Sequence, residues 1–365
     1  MTARRILICL HDFHRGGTER VALDLAARWA AAGHAVTILC GAETGGLRDA
    51  VDPRVPVMPL DPPLRRGLLS RPRLGAAMGR HLPALKPDVI FLPGNFHLPL
   101  ARGLRRADPH PVIVCKVSNP PLPQGCAAIP VAPLFRWFAR AVDGFAAMNG
   151  GLARDVAALA PQARVATLYD PMQVGAAPAG PHRPEIRNIL WVGRLEAQKD
   201  VALALAAFRV LLARGPARLT ILGDGGQRPL VEKAAADLGG HLDFPGYVAD
   251  IAPYLARASA LLVTSRYEGG PAVAVEALAL GTPVVATDCS HLLREIMTAR
   301  EAGRIVPSRD PAALAAALED VCAAPRPPGE TLAALVTGFA PDRCARAYLD
   351  WFDALAAARS AATRS

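Results

Sequence analysis

Residues 189–222 read ILWVGRLEAQKDVALALAAFRVLLARGPARLTIL, and this stretch decides the fold. Ile189–Val192 is a short apolar run of strand length. Val201–Ala213 repeats apolar residues at helical spacing, and Leu219–Leu222 is a second strand-like run. Two short strands joined through a helix of this length lie parallel in one sheet. The polar loop between the first strand and the helix then falls at the carboxyl edge of the sheet, where ligands of such sheets bind.

The same alternation runs outward in both directions. Toward the start, strands are expected at Ile6–Leu10, Ala35–Cys40, Val89–Leu92, Val112–Lys116, Phe145–Met148 and Val165–Leu168. Toward the end they are expected at Leu261–Thr264 and Val284–Thr287. Helical patterns fall between them at Glu19–Ala32, Pro229–Leu238 and Ala272–Leu280. Such alternation predicts parallel sheets wrapped on both faces by helices. The alternation pauses once, at Gly175–Pro184 (GAAPAGPHRP), a stretch without periodicity that reads as a linker. The expected organisation is a Rossmann-like domain over 1–174, a linker over 175–184 and a second Rossmann-like domain over 185–340. A closing helix follows within 341–365, where Tyr348, Leu349, Trp351, Phe352 and Leu355 make it aromatic enough to pack back on the first domain. Two doubly wound domains facing a cleft follow from this division.

Composition narrows the class. A chain of 365 residues is longer than single cores usually grow, and 52% apolar with 20% charged residues excludes disorder. No run reaches the roughly 18 apolar residues of a membrane span. Ile6–Leu10 is too short for a signal-peptide core, so a cytoplasmic protein is expected. The seven cysteines are scattered without a CxxC pair, which supports neither a zinc site nor a disulfide framework. The net charge of +9 is uneven, because residues 1–180 hold 21 basic against 12 acidic residues while the remainder is balanced at 20 against 20. A basic first half attracts anions, so a peripheral association with an anionic membrane at its inner face, or a lipid diphosphate, is an expectation. Nucleic acid is not expected, since aromatics are sparse and no recognition motif is present.

Three segments carry chemistry. Glu268-Gly-Gly-Pro-Ala-Val-Ala-Val-Glu276 places one glutamate after a buried strand and a second inside the helix that Gly269, Gly270 and Pro271 open. Amides at such a helix start meet a diphosphate directly. A carboxylate on an otherwise apolar helix, as at Glu276, needs a partner, whether a ligand, a neighbouring turn or an arginine. In Gly193–Asp200, Arg194 offers a fork and Lys199 a point charge at the carboxyl edge, a pairing suited to a leaving diphosphate. His14-Arg-Gly-Gly-Thr-Glu-Arg-Val21 follows the first strand with another glycine turn, but it is not a dinucleotide fingerprint.

Together these segments resemble the large retaining glycosyltransferase family 4, of GT-B fold. Ile221-Leu-Gly-Asp-Gly225, Phe244-Pro-Gly-Tyr-Val-Ala-Asp250 and the closing aromatic helix extend the resemblance nearly end to end. The resemblance implies a retaining, metal-independent hexosyl transfer from a nucleoside-diphosphate sugar of UDP or GDP type to a glycan or lipid-linked acceptor, as in envelope polysaccharide or lipopolysaccharide assembly. It implies no cofactor beyond that co-substrate. Arg194, Lys199 and Glu268 would be catalytic, the first two on the diphosphate and the third on sugar hydroxyls. Gly269, Gly270, Pro271 and Ala272 would meet sugar and phosphate, and Glu276 the ribose. Gly246, Tyr247 and Val248 would lie along the base, and Gly17 would close over the diphosphate. Where many members carry a histidine after the strand corresponding to Val112–Lys116, this chain has Ser118 and Asn119. Asn95 and His97, at another strand end, are candidates for acceptor or sugar contacts, against the ordinary structural use of a single histidine. Asp170 stands where an asparagine is common. Alternatives on the same fold are a sugar-nucleotide epimerase or hydrolase, and a non-catalytic nucleotide-binding partner subunit.

Overall fold

The computed structural model describes residues 3–14, 16–67, 70–122, 128–172 and 186–362. The expected linker at 175–184 lies outside them, as does Cys126. The chain divides into two compact units, Met1–Pro171 with Pro341–Ser365, and Met172–Ala340.

The first unit runs β1 (Arg5–Leu10), α1 (Gly17–Ala31), β2 (Ala35–Cys40), β3 (Val57–Pro59), α2 (Ser70–Gly79), α3 (Leu82–Leu85) and β4 (Val89–Leu92). It continues with α4 (Ala101–Ala107), β5 (Val112–Val117), α5 (Ala128–Ala139), β6 (Gly144–Ala147), α6 (Gly150–Leu159) and β7 (Arg164–Thr167). The sheet is parallel with order β3-β2-β1-β4-β5-β6-β7. Alternate side chains leave opposite faces of a strand. Leu7, Cys9, Ile90 and Leu92 therefore enter one core with α2, α4 and α5. Ile6, Ile8, Leu10 and Phe91 enter another with α1.

The second unit runs β8 (Arg187–Val192), α7 (Val201–Ala213), β9 (Ala217–Leu222), α8 (Arg228–Leu238), β10 (Leu242–Gly246), α9 (Ala252–Arg257) and β11 (Ala260–Val263). It continues with α10 (Ala272–Ala279), β12 (Val284–Thr287), α11 (His291–Ile296), β13 (Gly303–Val306), α12 (Pro311–Ala323) and α13 (Gly329–Ala334). Its parallel sheet has order β10-β9-β8-β11-β12-β13. In both sheets the strand order reverses once, between β1 and β4 and between β8 and β11. Such switch points open a crevice at the carboxyl ends.

The closing helix α14 (Pro341–Ala362) belongs to the first unit. Its Tyr348 and Phe352 rings meet Trp29 of α1 and Phe91 of β4 at centroid distances of 5.4–6.2 Å. The Trp29 Nε1 donates to the Ala345 carbonyl at 3.0 Å. Aromatic edges on faces of this kind add about 0.5–1.5 kcal/mol per pair beyond area. The aromatic spacing that set this helix apart in sequence is thus a core contact of the first sheet.

Three strands depart from the expected set: β3, β10 and β13 were not anticipated. Strand ends elsewhere differ by a residue or two, as in β5, which extends to Val117, and β6, which starts at Gly144. Among the described residues no helix is long and apolar enough to cross a membrane.

Candidate functional site

The β8–β11 switch point brings together residues that the sequence spreads from Arg194 to Glu276. After β8 the chain turns through Gly193 to Asp200, and after β11 through Thr264 to Pro271 before α10. The two loops bond to each other. Arg266 N donates to the Gln198 carbonyl at 2.8 Å, and Gln198 Nε2 to the Tyr267 carbonyl at 2.9 Å. Beneath them the Thr264 hydroxyl accepts from Trp191 Nε1 at 3.0 Å and shares its own hydrogen between the Lys199 and Asp200 carbonyls.

This frame sets Lys199 against Glu268, with Nζ 2.5 Å from Oε1. Ser265 Oγ donates to the same oxygen at 2.7 Å. The Lys199 side chain retains 19% of its exposure and Glu268 10%, so the pair is half-open to solvent. The Glu268 amide is anchored on the Cys289 carbonyl at 2.7 Å, and Ser290 Oγ donates to the Gly269 carbonyl at 3.1 Å. Burial pushes the Cys289 thiol up to about 11, so it is an unreactive thiol at neutral pH. The Arg194 guanidinium is exposed and has no partner among the described residues.

Asp200 closes the loop. It takes the left-handed conformation (φ +51°), which Asp tolerates better than most residues, and caps α7 by accepting from Leu203 N at 3.3 Å. Its other oxygen receives Arg309 at 2.6 Å and Arg266 at 2.9 Å. Arg309 also donates to the Thr264 and Ser265 carbonyls, both at 3.0 Å, and so ties the two loops to one fork. Gly223 and Gly225 adopt φ of +146° and +148°, and a side-chain carbon at Gly223 would lie 1.8 Å from the Gly193 carbonyl. The glycines of the 221–225 segment therefore let the β9 loop press on the Arg194 loop, fixed by Leu195 N on the Asp224 carbonyl at 2.8 Å.

Arg194, Lys199, Glu268, Gly269, Gly270, Pro271, Ala272 and Glu276 all lie in these two loops or the helix they open. Glu276 is the fifth residue of α10, half-buried between fully buried Val275 and Ala277. Gly246 ends β10 with φ +81°, next to a Tyr247 that is 72% exposed and a half-buried Val248. Four residues that hold this arrangement were not singled out by sequence reasoning: Thr264, Ser265, Asp200 and Arg309. Asp200 stood in the quoted motif, and a hydroxyl directly after a buried strand is a weak local signal for Ser265. Arg309 has none, since it acts from 44 positions beyond Ser265.

The first unit has its own polar edge. Gly17 is exposed at the start of α1, and a side chain there would meet nothing. Arg66 forks onto Asp12 at 2.6 and 2.7 Å and reaches Glu19 at 3.3 Å. Burial pushes the Asp12 carboxyl up, but hydrogen bonds from Arg66 and His14 outweigh it and hold the group at about 2. His97 is buried, and among the described residues its Nδ1 has no hydrogen-bond partner. Burial, with the nearby positive groups His11, Arg71 and Arg66, pushes its ring down to about 3, so it is neutral at pH 7. Asn95 bridges strand ends, accepting from Ser118 N at 2.9 Å and donating to the Asn119 carbonyl at 2.8 Å. Ser118 Oγ in turn lies 2.6 Å from Lys116 Nζ, which pairs with Asp170. Asn95, Ser118 and Asn119 thus form one bonded group, and His97 is buried two residues beyond Asn95 in the same turn. Among the described residues no group of three His, Cys, Asp or Glu side chains could hold a metal ion.

Residues 186–324 match the family described as glycosyl transferases group 1, and residues 16–171 match the glycosyl transferase 4-like domain. A phosphatidyl-myo-inositol mannosyltransferase of Mycolicibacterium smegmatis is 41% identical over 139 residues, 37% of this chain and 36% of that protein. A glycogen synthase of Mycobacterium tuberculosis is 37% identical over 143 residues, 37% of this chain and 33% of that protein. The matches thus span about a third of these relatives' length. Among solved structures, the lipopolysaccharide outer core galactosyltransferase WaaB in its apo form superposes with TM-score 0.76 at 18% identity, covering 95% of this chain and 98% of that one. Anabaena HepE in complex with UDP superposes with TM-score 0.70 at 16% identity, covering 99% of each. At these identities the structures establish the GT-B fold.

Proposed function

The chain belongs to the group 1 glycosyl transferases, and from that footing we propose that it moves a sugar from a nucleoside-diphosphate donor to a glycan or lipid-linked acceptor, retaining configuration at the sugar carbon. The observation that carries the proposal is the half-open Lys199–Glu268 pair at the β8–β11 switch point, with Arg194 exposed in the same loop as Lys199 and without a partner among the described residues.

The slow event in such a reaction is departure of the nucleoside diphosphate. Lys199 and Arg194 supply fixed positive charge where negative charge develops, and one well-aimed donor of this kind is worth about 3–4 kcal/mol. The amino end of α10, which follows directly on the Glu268 loop, adds the partial positive charge of a helix start. No metal ion is then required. Before the donor arrives, Lys199 and Glu268 hold each other in place. Arrival of a diphosphate draws Lys199 away and frees Glu268, still oriented by Ser265, to accept from sugar hydroxyls. Glu276 holds the ribose, and Gly246–Val248 follow the base. With Glu268 engaged in this way, the acceptor oxygen attacks the face the phosphate leaves. The C1–O bond to phosphate breaks, the C1–O bond to the acceptor forms, and the acceptor proton passes to a phosphate oxygen. In the first unit, the bonded group Asn95, Ser118 and Asn119 offers hydrogen-bonding groups for acceptor hydroxyls. The basic first half of the sequence fits an acceptor in envelope polysaccharide or lipopolysaccharide assembly, met at an anionic membrane surface.

Equilibrium binding of UDP, GDP, ADP and dTDP in EDTA, to wild type and to Arg194→Ala/Lys199→Ala, tests the reading. One nucleotide is expected to bind preferentially, with the preference lost in the double variant. If none binds, the transferase reading falls. A glycosyl adduct on the protein found by mass spectrometry would replace the single-displacement step with a covalent one.

A further inference from the structure

One face of the first unit is built from helical segments without a single carboxylate. Three helical segments lie side by side over one core: α2, the turn Asn95–Leu100 running into α4, and α5. Gly75 and Gly103 let α2 touch the turn and α4 through backbone, since a side-chain carbon on Gly103 would come within 2.5 Å of the Ala76 amide of α2 and one on Gly75 within 2.5 Å of the Leu100 carbonyl. None of these segments contains an Asp or a Glu. Between residues 62 and 142 the only carboxylates are Asp88 and Asp108, which precede β4 and β5 at the amino edge of the sheet. The opposite face of the same sheet is mixed, with Asp24, Asp342 and Asp353 on α1 and α14 each paired to an arginine.

The acid-free face also exposes apolar side chains. Phe96 is 60% exposed, Leu134 51% and Trp137 44%. Arginines from the adjoining helix cover both rings. The Arg71 guanidinium of α2 lies 4.8 Å from the Phe96 ring centre, and that of Arg102 in α4 lies 3.8 Å from the Trp137 ring centre. Each contact bridges neighbouring segments, so the strip is continuous from α2 to α5. Arg136 extends it on α5, exposed beside Trp137. Soluble surfaces intersperse charges of both signs. Basic residues interleaved with Trp, Phe and Leu, without carboxylates, instead match the boundary between lipid phosphates and acyl chains.

We infer that this face, formed by α2, Asn95–Ala107 and α5, docks the protein on a bilayer of anionic phospholipid, with Leu134 and Trp137 at the acyl boundary and Arg71, Arg102 and Arg136 on the phosphates. The inference rests on the acceptor being met at a membrane, yet its test needs neither donor nor acceptor. The full chain is sedimented with vesicles of phosphatidylcholine containing 30% phosphatidylglycerol and with pure phosphatidylcholine, in low salt and in physiological salt. Binding to the anionic vesicles alone is expected, weakening as salt shortens the reach of the charges. Arg71→Glu/Arg102→Glu/Arg136→Glu is expected to lower partitioning on the order of 100-fold, because each basic residue near such a surface contributes a several-fold gain. Leu134→Ser/Trp137→Ser is expected to lower it less. Brominated lipid is expected to quench the fluorescence of wild type, with the quenching removed in Trp137→Phe. Circular dichroism and nucleotide binding of each variant establish that it is folded.

Equal binding to neutral vesicles, unchanged binding by the triple variant, or no binding in low salt would each overturn the inference. So would tighter binding to single-stranded RNA than to the anionic vesicles. Nucleotide binding that persists without vesicle binding removes this inference alone, whereas vesicle binding without nucleotide binding removes the transferase reading and leaves the docking face standing.

Discussion

Lys116 and Lys199 are two of the chain's four lysines, and each sits at the carboxyl side of a central strand, paired with a carboxylate and near a serine hydroxyl. Their surroundings differ. Lys116 lies within β5, is 1% exposed, and has Nζ 3.0 Å from Asp170 Oδ2, with Oδ1 at 2.9 Å but off the hydrogen-bond direction. Ser118 Oγ fills another of its directions, and the cluster is closed. Lys199 lies in a loop, keeps a fifth of its surface, and is held by one carboxylate oxygen only. The same chemical pair therefore serves two ends. A sealed pair has already lost its water and can only hold the fold, whereas a half-open pair can exchange one partner for a ligand without burying a bare charge.

The comparison predicts opposite profiles for the two alanine variants. Lys116→Ala leaves Asp170 buried without its partner, a loss of about 3–5 kcal/mol of stability. Chemical unfolding followed by a first-unit signal measures it. The double change Lys116→Met/Asp170→Leu removes both charges and is expected to recover most of that loss, because the apolar pair needs no compensation. If the double variant is as unstable as the single one, the pair does more than neutralise itself and the contrast with Lys199 loses its basis.

Lys199→Ala is expected to cost less than Lys116→Ala, on the order of 1–2 kcal/mol, because the Glu268 carboxylate it leaves behind, 10% exposed, still accepts from Ser265 Oγ. It should instead lower kcat by about 100- to 1000-fold, the usual cost of a missing donor on a developing charge. Lys199→Arg is expected to restore part of the rate, since a guanidinium still carries charge to the phosphate although it fits the Glu268 oxygen differently. A Lys199→Ala variant that unfolds as readily as Lys116→Ala would place both lysines in the same structural class.

How much of this was legible in sequence follows from where each residue gets its partners. Arg194, Lys199 and Glu268 stand in loops directly after buried strands, so finding the strands found them. The central strands were legible because both faces are covered and they read as unbroken apolar runs. The missed strands β3, β10 and β13 are all sheet edges. β10 reads LDFPG, with a proline that only an edge tolerates, and β13 reads GRIV, half-buried, so neither has the apolar run of a central strand. Arg309 and the Lys116–Asp170 pair were not legible as functional or structural units, because their partners lie 44 to 109 positions away and only the sheet brings them together. Charge placement was legible in part. The basic first half was plain from counting, but its concentration on one helical face depended on how α2, α4 and α5 pack.

The buried His97 sharpens the contrast between the sealed and the half-open edge. Its folded-state value of about 3 lies below the ordinary histidine value, so the unfolded chain binds a proton that the folded chain refuses. Stability from this group is intact above about pH 6.5 and is lost as pH falls from there toward about 3, at up to about 1.4 kcal/mol per pH unit. Asp12, held at about 2, adds a loss of the same sign in a lower window, below the ordinary carboxylate value. Unfolding midpoints of wild type and His97→Gln between pH 7 and 4 separate the two. The variant is expected to have the flatter profile, and parallel profiles would mean that the ring is already solvated in the native state.

The smallest expected effect lies inside the half-open pair. Ser265 Oγ donates to the Glu268 oxygen that also holds Lys199. If a diphosphate draws Lys199 away, Ser265 is what keeps Glu268 in place for the sugar, so its contribution appears after the donor binds. Ser265→Ala removes one hydrogen bond to a charged group, worth about 1.5–3 kcal/mol at most and less where water can replace it. The nucleotide diphosphate alone, which lacks a sugar, is therefore expected to bind Ser265→Ala as tightly as wild type, while the intact sugar donor is turned over about fivefold more slowly. Equal weakening of both would mean that the hydroxyl positions Lys199 rather than Glu268. The exchange of partners would then be led by the glutamate, and the half-open pair would behave more like the sealed one than its exposure suggests.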